Sequence, residues 1–124
     1  MVRENTNTSQ YALVQKGNYL LTVVGIPEKR RSESGQSTYR IWKFSYLKGS
    51  ERYSFNVLCF PWESEELLLA VGGIKQDDGT VEWDDEQVAG KSFRADVVHR
   101  ADNKGKMREK LENIQAVDTD EPPF

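Results

Sequence analysis

The feature that most constrains the fold is a pair of long alternating segments separated by a tight turn. Residues 38–48 read TYRIWKFSYLK, and residues 52–60 read RYSFNVLCF after the intervening GSE. In the second segment every other side chain from Tyr53 to Cys59 is apolar, which predicts a strand with one buried and one wet face. Both segments are rich in aromatic and β-branched residues, the types that favour strands. We therefore predict an antiparallel hairpin at the centre of the chain.

Further elements flank this hairpin on both sides. A first strand is predicted from Gly17 through GNYLLTVVGIPEK, followed by a basic loop over residues 29–37. Residues 61–73 carry helix signals, because a proline opens the segment, acids fill its first turn and two glycines end it. The acidic connection that follows predicts a short helix over residues 84–88.

Two more strands are predicted over residues 91–101 and 106–117, joined by the turn DNKG. The last segment is as helix-friendly as it is strand-like by propensity, and the tight turn before it favours the strand. The order β-β-β-α-β-β predicts an all-β OB-fold, a five-stranded Greek-key barrel with a helix between strands three and four. The alternative is a generic α+β sheet with one covering helix.

The domain organisation follows from this order. A chain of 124 residues is expected to form one domain. Residues 1–16 are predicted to be a flexible N-terminal arm, residues 17–117 the OB-fold nucleic-acid-binding domain, and residues 118–124 an acidic C-terminal tip.

The charges are segregated along the chain, although the net charge is only −3. Residues 63–86 hold nine acids and one base, and residues 118–124 add three acids. The remaining residues, 1–62 and 87–117, hold 16 bases and 8 acids, a net charge of +8. Such a separation creates a directional field that steers charged partners.

Several classes of protein are disfavoured by the sequence. No apolar run approaches the roughly 18 to 20 residues that span a membrane, and the N-terminal residues lack the apolar core of a signal peptide. One cysteine cannot form an internal disulfide, so we expect a cytoplasmic protein. His99 and Cys59 fall on apolar strand faces, and a nucleophilic pair would require their strands to bring them together. We expect a protein that is not an enzyme, with no cofactor and no metal.

The remaining signal is the combination of bases and aromatic rings that holds a single nucleic-acid strand. Such a strand needs cations along its phosphates and rings on which its bases stack. In an OB barrel the face of strands two and three and the loops one–two and four–five form the groove. The predicted nucleic-acid-binding residues are Lys29, Arg30, Arg31, Tyr39, Arg40, Trp42, Lys43, Tyr46, Arg52, Arg94, Arg100, Lys104, Lys106 and Arg108.

The register of the second strand decides which of its rings face outward. Trp42, Phe44 and Tyr46 share one face by alternation, and a shift of one residue exchanges inside for outside. Whether this face is core or binding surface is left open, with Phe44 favoured as core. The other large aromatic residues are assigned to packing: Tyr19, Phe55 and Phe93 to the core, and Trp62 and Trp83 to anchors at or beside helices.

The last seven residues, DTDEPPF, combine acids, prolines and a phenylalanine. This stretch resembles the acidic tip of bacterial single-stranded DNA-binding proteins (SSB), which ends in consecutive acids followed by hydrophobic-Pro-Phe. Phage single-stranded DNA-binding proteins often end in a similar way. The tip predicted to bind a partner consists of Asp118, Asp120, Glu121, Pro122, Pro123 and Phe124. Pro122 departs from the family, which has an aliphatic residue there, and the long linker of bacterial SSB is missing.

The resemblance implies an OB-fold protein of phage or prophage type that binds single-stranded DNA with little sequence preference in replication, recombination or repair. It also implies that the tip recruits replication and recombination proteins in a bacterial cell or phage-infected host. RNA as a ligand and a homo-oligomeric state are left open. The alternative is a non-catalytic protein-interaction or structural phage module on the same barrel.

Overall fold

The computed structural model describes residues 13–32, 35, 37–102 and 104–117. Its elements in chain order are β1 (Gly17–Val23), β2 (Glu28–Arg31), β3 (Thr38–Lys48), β4 (Glu51–Cys59), a 3₁₀-helix (Pro61–Glu63), α1 (Glu65–Ala70), β5 (Ile74–Lys75), β6 (Val81–Glu82), β7 (Ser92–Ala101) and β8 (Met107–Ala116). The described part of the chain is therefore an all-β fold with one short α-helix, as the sequence predicted. The five predicted strands correspond to β1, β3, β4, β7 and β8.

Six strands form one antiparallel sheet. In it β1 pairs with β3 and β7, β7 pairs with β8, and β3 also pairs with β2 and β4. Strands β4 and β8 lie side by side, but no strand pairing joins them within the described residues. A side chain bridges the gap instead, because Lys110 Nζ donates to the Leu58 carbonyl at 2.6 Å. The sheet is therefore curved but not a closed barrel.

The predicted central hairpin is confirmed. β3 and β4 are in register from Arg40 opposite Cys59 to Lys48 opposite Glu51. Gly49 occupies the turn with φ of 64°, a left-handed conformation that glycine adopts without steric cost. Alternation therefore carries one set of side chains from both strands to the same side of the sheet.

The core lies on the side of the sheet that faces α1. Trp42 and Phe44 are 1% and 0% exposed, and the Phe44 ring meets Phe93 with centroids 5.3 Å apart. The helix contributes Leu67, and Val71 just after it completes the contact. The buried apolar residues are Leu21, Val23, Trp42, Phe44, Phe55, Val57, Cys59, Leu67, Val71, Val88, Phe93, Ala95 and Val97. The open register question is thus decided, since the Trp42 face is core.

The basic segment after β1 is not wholly a loop, contrary to the prediction. After Val24 donates to the Lys43 carbonyl at 2.8 Å, the chain leaves β3 and returns to it as β2. Residues Glu28–Arg31 then pair with the first four residues of β3. Their side chains are polar and exposed, so the strand depends on backbone pairing with a partner rather than on local apolar alternation.

The acidic connection also differs from its prediction. The expected helix over residues 84–88 is a turn, in which the Gln87 amide donates to the Asp84 carbonyl at 3.0 Å. The unpredicted hairpin of β5 and β6 precedes it and turns at Gly79, where φ is 90°. Two-residue strands are too short to produce an alternating pattern, and therefore periodicity carries no signal for them.

The predicted N-terminal arm is described from residue 13 onward. Val14 N–H donates to Glu109 Oε2 at 3.0 Å, and the Val14 carbonyl lies 2.7 Å from His99 Nε2. This end of the predicted arm is therefore held against β7 and β8. Residues 1–12 and the predicted tip, residues 118–124, lie outside the described residues.

Candidate nucleic-acid interface

Three aromatic rings contact one another in sequence at one end of the β3–β4 hairpin, the first pair tilted by 52° and the second pair stacked. The centroids of Tyr39 and Phe60 are 5.4 Å apart, and those of Phe60 and Trp62 are 4.6 Å apart with rings 10° from parallel. Trp62 is 73% exposed, the most exposed large hydrophobic residue in the described chain. We call these three residues the aromatic ladder.

The local sequence explains why the ladder forms. Arg40 opposes Cys59 in the β3–β4 register, so the neighbouring residues Tyr39 and Phe60 come next to each other. Pro61 then starts a 3₁₀-turn that directs Trp62 onto Phe60. The Glu63 carboxylate accepts a hydrogen bond from the Phe60 amide at 2.8 Å and fixes this turn.

Alternation places the ladder on the side of the sheet opposite the core. Tyr39 and Lys43 alternate with buried Trp42, and Arg30 of β2 is in register with Tyr39. Arg52 lies on the same side, because its Nη1 donates to Ser45 Oγ at 2.8 Å. We define the ladder face as Arg30, Tyr39, Lys43, Ser45, Arg52, Asn56, Phe60 and Trp62.

The basic residues near the ladder that were predicted to bind nucleic acid differ in their hydrogen bonds and ion pairs. The Lys29 and Lys43 ammonium groups make no hydrogen bond or ion pair with any residue that the structure describes. Arg30 pairs with exposed Glu28 at 2.8 Å, and this hydrogen bond raises the pKa of Arg30. Among the residues that the structure describes, Arg31 donates to the Gly35 carbonyl at 3.2 Å. These side chains are accessible to an anion, and the two lysines are not neutralised by a described acid.

Arg40 was predicted to contact phosphate, but in the structure its guanidinium is bound to other residues of the protein. Its guanidinium lies 4.9 Å above the Trp83 ring and donates to Asp85 Oδ2 at 3.4 Å and the Pro27 carbonyl at 3.3 Å. Arg40 therefore joins β3 to the acidic turn instead of lining the ladder face. Trp83 also stacks on Trp42 at 5.6 Å, as expected for a packing anchor.

Two predicted aromatic contacts belong to the core side. Trp42 is 1% exposed and offers no ring to a base on the ladder face. Tyr46 is half-buried among Tyr19 and Tyr53, with centroids 4.9 and 5.7 Å away, and burial raises the pKa of its hydroxyl. Both alternate in phase with buried Phe44, which is why the outer face does not contain them.

The second predicted basic loop is the β7–β8 hairpin, where arginines are matched with acids. Arg100 forms an ion pair with Glu112, and Arg108 Nε lies 3.0 Å from Asp102 Oδ2. The Asp102 carboxylate also accepts hydrogen bonds from the amides of Lys104 and Lys106, each at 2.9 Å. Both lysines have exposed side chains. The hairpin is therefore a locally compensated cluster of charges.

Arg94 occupies a third position, on the outer side of β7. Its Nη1 donates to Asn18 Oδ1 at 3.0 Å, and Asn18 Nδ2 donates to Asp96 Oδ1 at the same distance. Asn113, at φ of 53°, donates to the same Asp96 carboxylate at 2.7 Å. This network links β1, β7 and β8, so Arg94 is part of a polar contact across the sheet.

The reactive side chains of the chain are held in structural contacts. Cys59 is 9% exposed, and burial raises the pKa of its thiol to about 12. His99 contacts the Val14 carbonyl, as described above. No group of three His, Cys, Asp or Glu side chains suited to a metal ion occurs among the described residues.

Two members of the ladder were not predicted from the sequence. The assignment of Trp62 to packing beside a helix is wrong, and Phe60 had no predicted role in binding. The register of the hairpin places Phe60 beside Tyr39, so a correct strand pairing provides the signal for that contact. The exposure of Trp62 depends on the direction of one 3₁₀-turn, which periodicity does not report.

No helix in the described part of the chain has the length and apolar character needed to cross a membrane. Comparison with models of protein families, with curated proteins and with solved structures found no match to this chain.

Proposed function

We propose that this chain binds single-stranded DNA with little sequence preference through the ladder face. The observation that carries the proposal is the 73% exposed Trp62 ring, which stacks on Phe60 and continues to Tyr39, on the side of β3 that also carries Lys43, a cation with no acidic partner among the described residues. An exposed tryptophan of this extent leaves a large apolar ring face in water. A nucleobase can stack on this ring because every base has a π-face. Stacking of this kind does not depend on the nucleotide sequence, so little sequence preference is expected.

The arrangement of charges supports the same ligand. Lys43 and Arg52 lie on the ladder face, and β2 places Arg30 beside Tyr39. A phosphate backbone that follows the stack would meet these cations while its bases meet the rings. Counterion release from the phosphates would then make the affinity fall steeply with salt.

We further propose that the sheet is an OB-type barrel left open between β4 and β8. The pairing of β1 with both β3 and β7, and the helix that follows β4, support this assignment. Lys110 bridges the open edge, because its ammonium reaches the Leu58 carbonyl and Glu63 Oε2 at 3.2 Å. In OB-folds the face of the second and third strands binds oligonucleotides, and here those strands are β3 and β4.

The acidic tip is proposed to recruit a replication or recombination protein. A phenylalanine ring suits an apolar pocket, and acids suit a basic rim around it. Deleting residues 118–124 is expected to abolish capture of such a partner while leaving DNA affinity at high salt unchanged. Tryptophan fluorescence titration at two salt concentrations measures the second quantity directly.

A titration with oligo-dT tests the main proposal. Trp62 is the tryptophan exposed on the ladder face, so stacking of a base should quench its emission. We expect saturable quenching at low salt that weakens as salt is raised, and loss of most of it in Trp62→Phe. Absence of binding at low salt would overturn the proposal.

A protein-interaction module on the same fold is the second candidate. Leu20 and Leu47 are 47% and 62% exposed, which favours an apolar partner surface. This candidate predicts no oligonucleotide binding at low salt, together with binding of a protein partner that Leu47→Asp abolishes. The oligo-dT titration therefore separates the two functions.

A further inference from the structure

A pocket of about 430 Å³ lies between the start of β3, α1 and the β5–β6 hairpin. Trp42, Leu68 and Trp83 provide its apolar walls. Thr38 and Cys59 are also among its lining residues. Pockets that hold small organic ligands begin at about 300 Å³ and combine apolar walls with a few polar groups. The space is therefore large enough for one planar ring system and its substituents.

The pocket is adjacent to the aromatic ladder. Tyr39 is both a ladder residue and part of the pocket wall, and Pro61, between Phe60 and Trp62, also lines it. The pocket lies on the core side of the sheet and the ladder on the opposite side, so a strand along the ladder reaches the pocket by turning around the end of β3 and β4 at Tyr39 and Pro61. One of its nucleotides could turn inward there while its neighbours stay on the rings.

Of the two basic residues that line the pocket, Lys29 is the one whose side chain has no partner among the described residues. β2 places Lys29 opposite Arg40, on the core side, and its exposed ammonium has no partner among the described residues. Arg40 also lines the pocket but is occupied by Asp85. Lys29 is therefore the cation positioned to meet a phosphate at this pocket.

Two further groups decide the chemical class of ligand. The Thr38 hydroxyl is half-buried and has no hydrogen-bond partner among the described residues, so it can read the polar edge of a base. Glu65, the acid that lines the pocket, is engaged by Lys75 at 3.1 Å. The available charge at the pocket is consequently positive.

We propose that this pocket is a nucleotide subsite, which takes a single unstacked nucleobase against Trp83 and Thr38 with its phosphate at Lys29. The proposal rests on the proposed function, because the occupant is one nucleotide of the strand held by the ladder. Unstacking a base from a single strand costs little, and an enclosed apolar wall with one hydrogen-bonding group compensates for it.

The test uses the full chain carrying Trp62→Phe, in which the remaining tryptophans, Trp42 and Trp83, both line the pocket and report on its occupancy. It is titrated with dTMP and with deoxyribose 5-phosphate, which has the same phosphate but no base. We expect a saturable change in emission with dTMP and none with deoxyribose 5-phosphate. Lys29→Glu should weaken dTMP binding about tenfold, the size of one charge-assisted hydrogen bond. The matched control Lys43→Glu, on the opposite side of β3, should leave dTMP binding within about twofold.

A second arm uses the strand itself. Thr38→Phe narrows the pocket and should reduce dTMP binding while oligo-dT still binds the ladder of the otherwise unaltered chain. If oligo-dT binds but dTMP gives no saturable change, or if Lys29→Glu and Thr38→Phe both leave dTMP affinity unaltered, the subsite is overturned and the proposed function stands. If neither ligand binds the unaltered chain at low salt, both are overturned.

Discussion

The ladder face and the β7–β8 hairpin both carry several basic residues, but these residues differ in what they contact. On the ladder face Lys43 has no acidic partner among the described residues, Arg30 pairs with exposed Glu28, and Trp62 is exposed to solvent. In the hairpin Arg108 and Arg100 each meet a carboxylate of the same hairpin. A basic side chain that already forms an ion pair must break that ion pair before it can bind a phosphate. The availability of a cation, rather than its presence in a basic segment, therefore indicates a binding surface.

Substitutions of buried Trp42 and exposed Trp62 should have the largest and most clearly separated effects, the first on stability and the second on DNA binding. Trp42→Ala should lower the free energy of unfolding by about 3–5 kcal/mol, the usual cost of removing a large buried ring. Trp62→Ala should leave that free energy nearly unchanged and weaken oligo-dT binding by about 1–3 kcal/mol, the value of one stacked base. Urea unfolding and fluorescence anisotropy with labelled oligo-dT measure the two effects. A large loss of stability in Trp62→Ala would contradict the exposed position of this ring.

Charge reversal tests the contrast between free and paired cations. Lys29→Glu with Lys43→Glu should reduce the salt dependence of oligo-dT binding, by about 0.7 in the logarithmic slope for each phosphate contact that is removed. The matched double variant Arg100→Glu with Arg108→Glu applies the same charge reversal to two arginines that are paired within the hairpin, and we expect a smaller change. Anisotropy titrations at four salt concentrations give both slopes. Equal slopes for the two double variants would show that unpaired lysines and ion-paired hairpin arginines contribute equally to DNA binding.

The smallest expected effect concerns the pairing of charges in the hairpin. The hydrogen bond from Arg108, together with the amides of Lys106 and Lys104, holds the pKa of Asp102 below its usual range. A carboxyl whose pKa is lower in the folded state stabilises the fold above its unfolded pKa of about 3.9. That contribution disappears as the pH falls through the lower, folded value.

The melting temperature of the unaltered chain should therefore fall more steeply between about pH 5 and pH 2 than that of Asp102→Asn. Thermal unfolding followed by circular dichroism in matched buffers measures the difference. Parallel curves for the two proteins would show that the pairing in the hairpin does not contribute to stability.

The central hairpin could be predicted because its alternation is long and its turn is short. Strand β2 could not, since its exposed polar residues become a strand only through the first residues of β3. The same limit applies to the site. Sequence locates Arg40 in a basic aromatic strand, but its partner Asp85 is 45 positions away and is brought near by the fold. Local pattern therefore identifies the strand that binds more readily than the side chains that are free to do so.

The position of Trp62 shows a further limit. An apolar ring beside a helix usually packs, and Trp83 does so against Trp42. Trp62 instead follows Pro61 in a 3₁₀-turn that stacks it on Phe60 and leaves 73% of it exposed. Trp62 and Trp83 have similar sequence contexts. Their difference in exposure depends on the direction of the 3₁₀-turn, which the local sequence pattern does not reveal.

Photocrosslinking would locate a bound strand on the protein surface without relying on any substitution. Oligo-dT with 5-iodouracil at successive positions is irradiated with the full chain, and the attached residues are mapped by mass spectrometry. Iodouracil reacts best with aromatic rings in contact, so we predict crosslinks at Trp62, Phe60 or Tyr39 that disappear at high salt. Crosslinks confined to β7 and β8, with the ladder unmodified, would contradict binding through the ladder face.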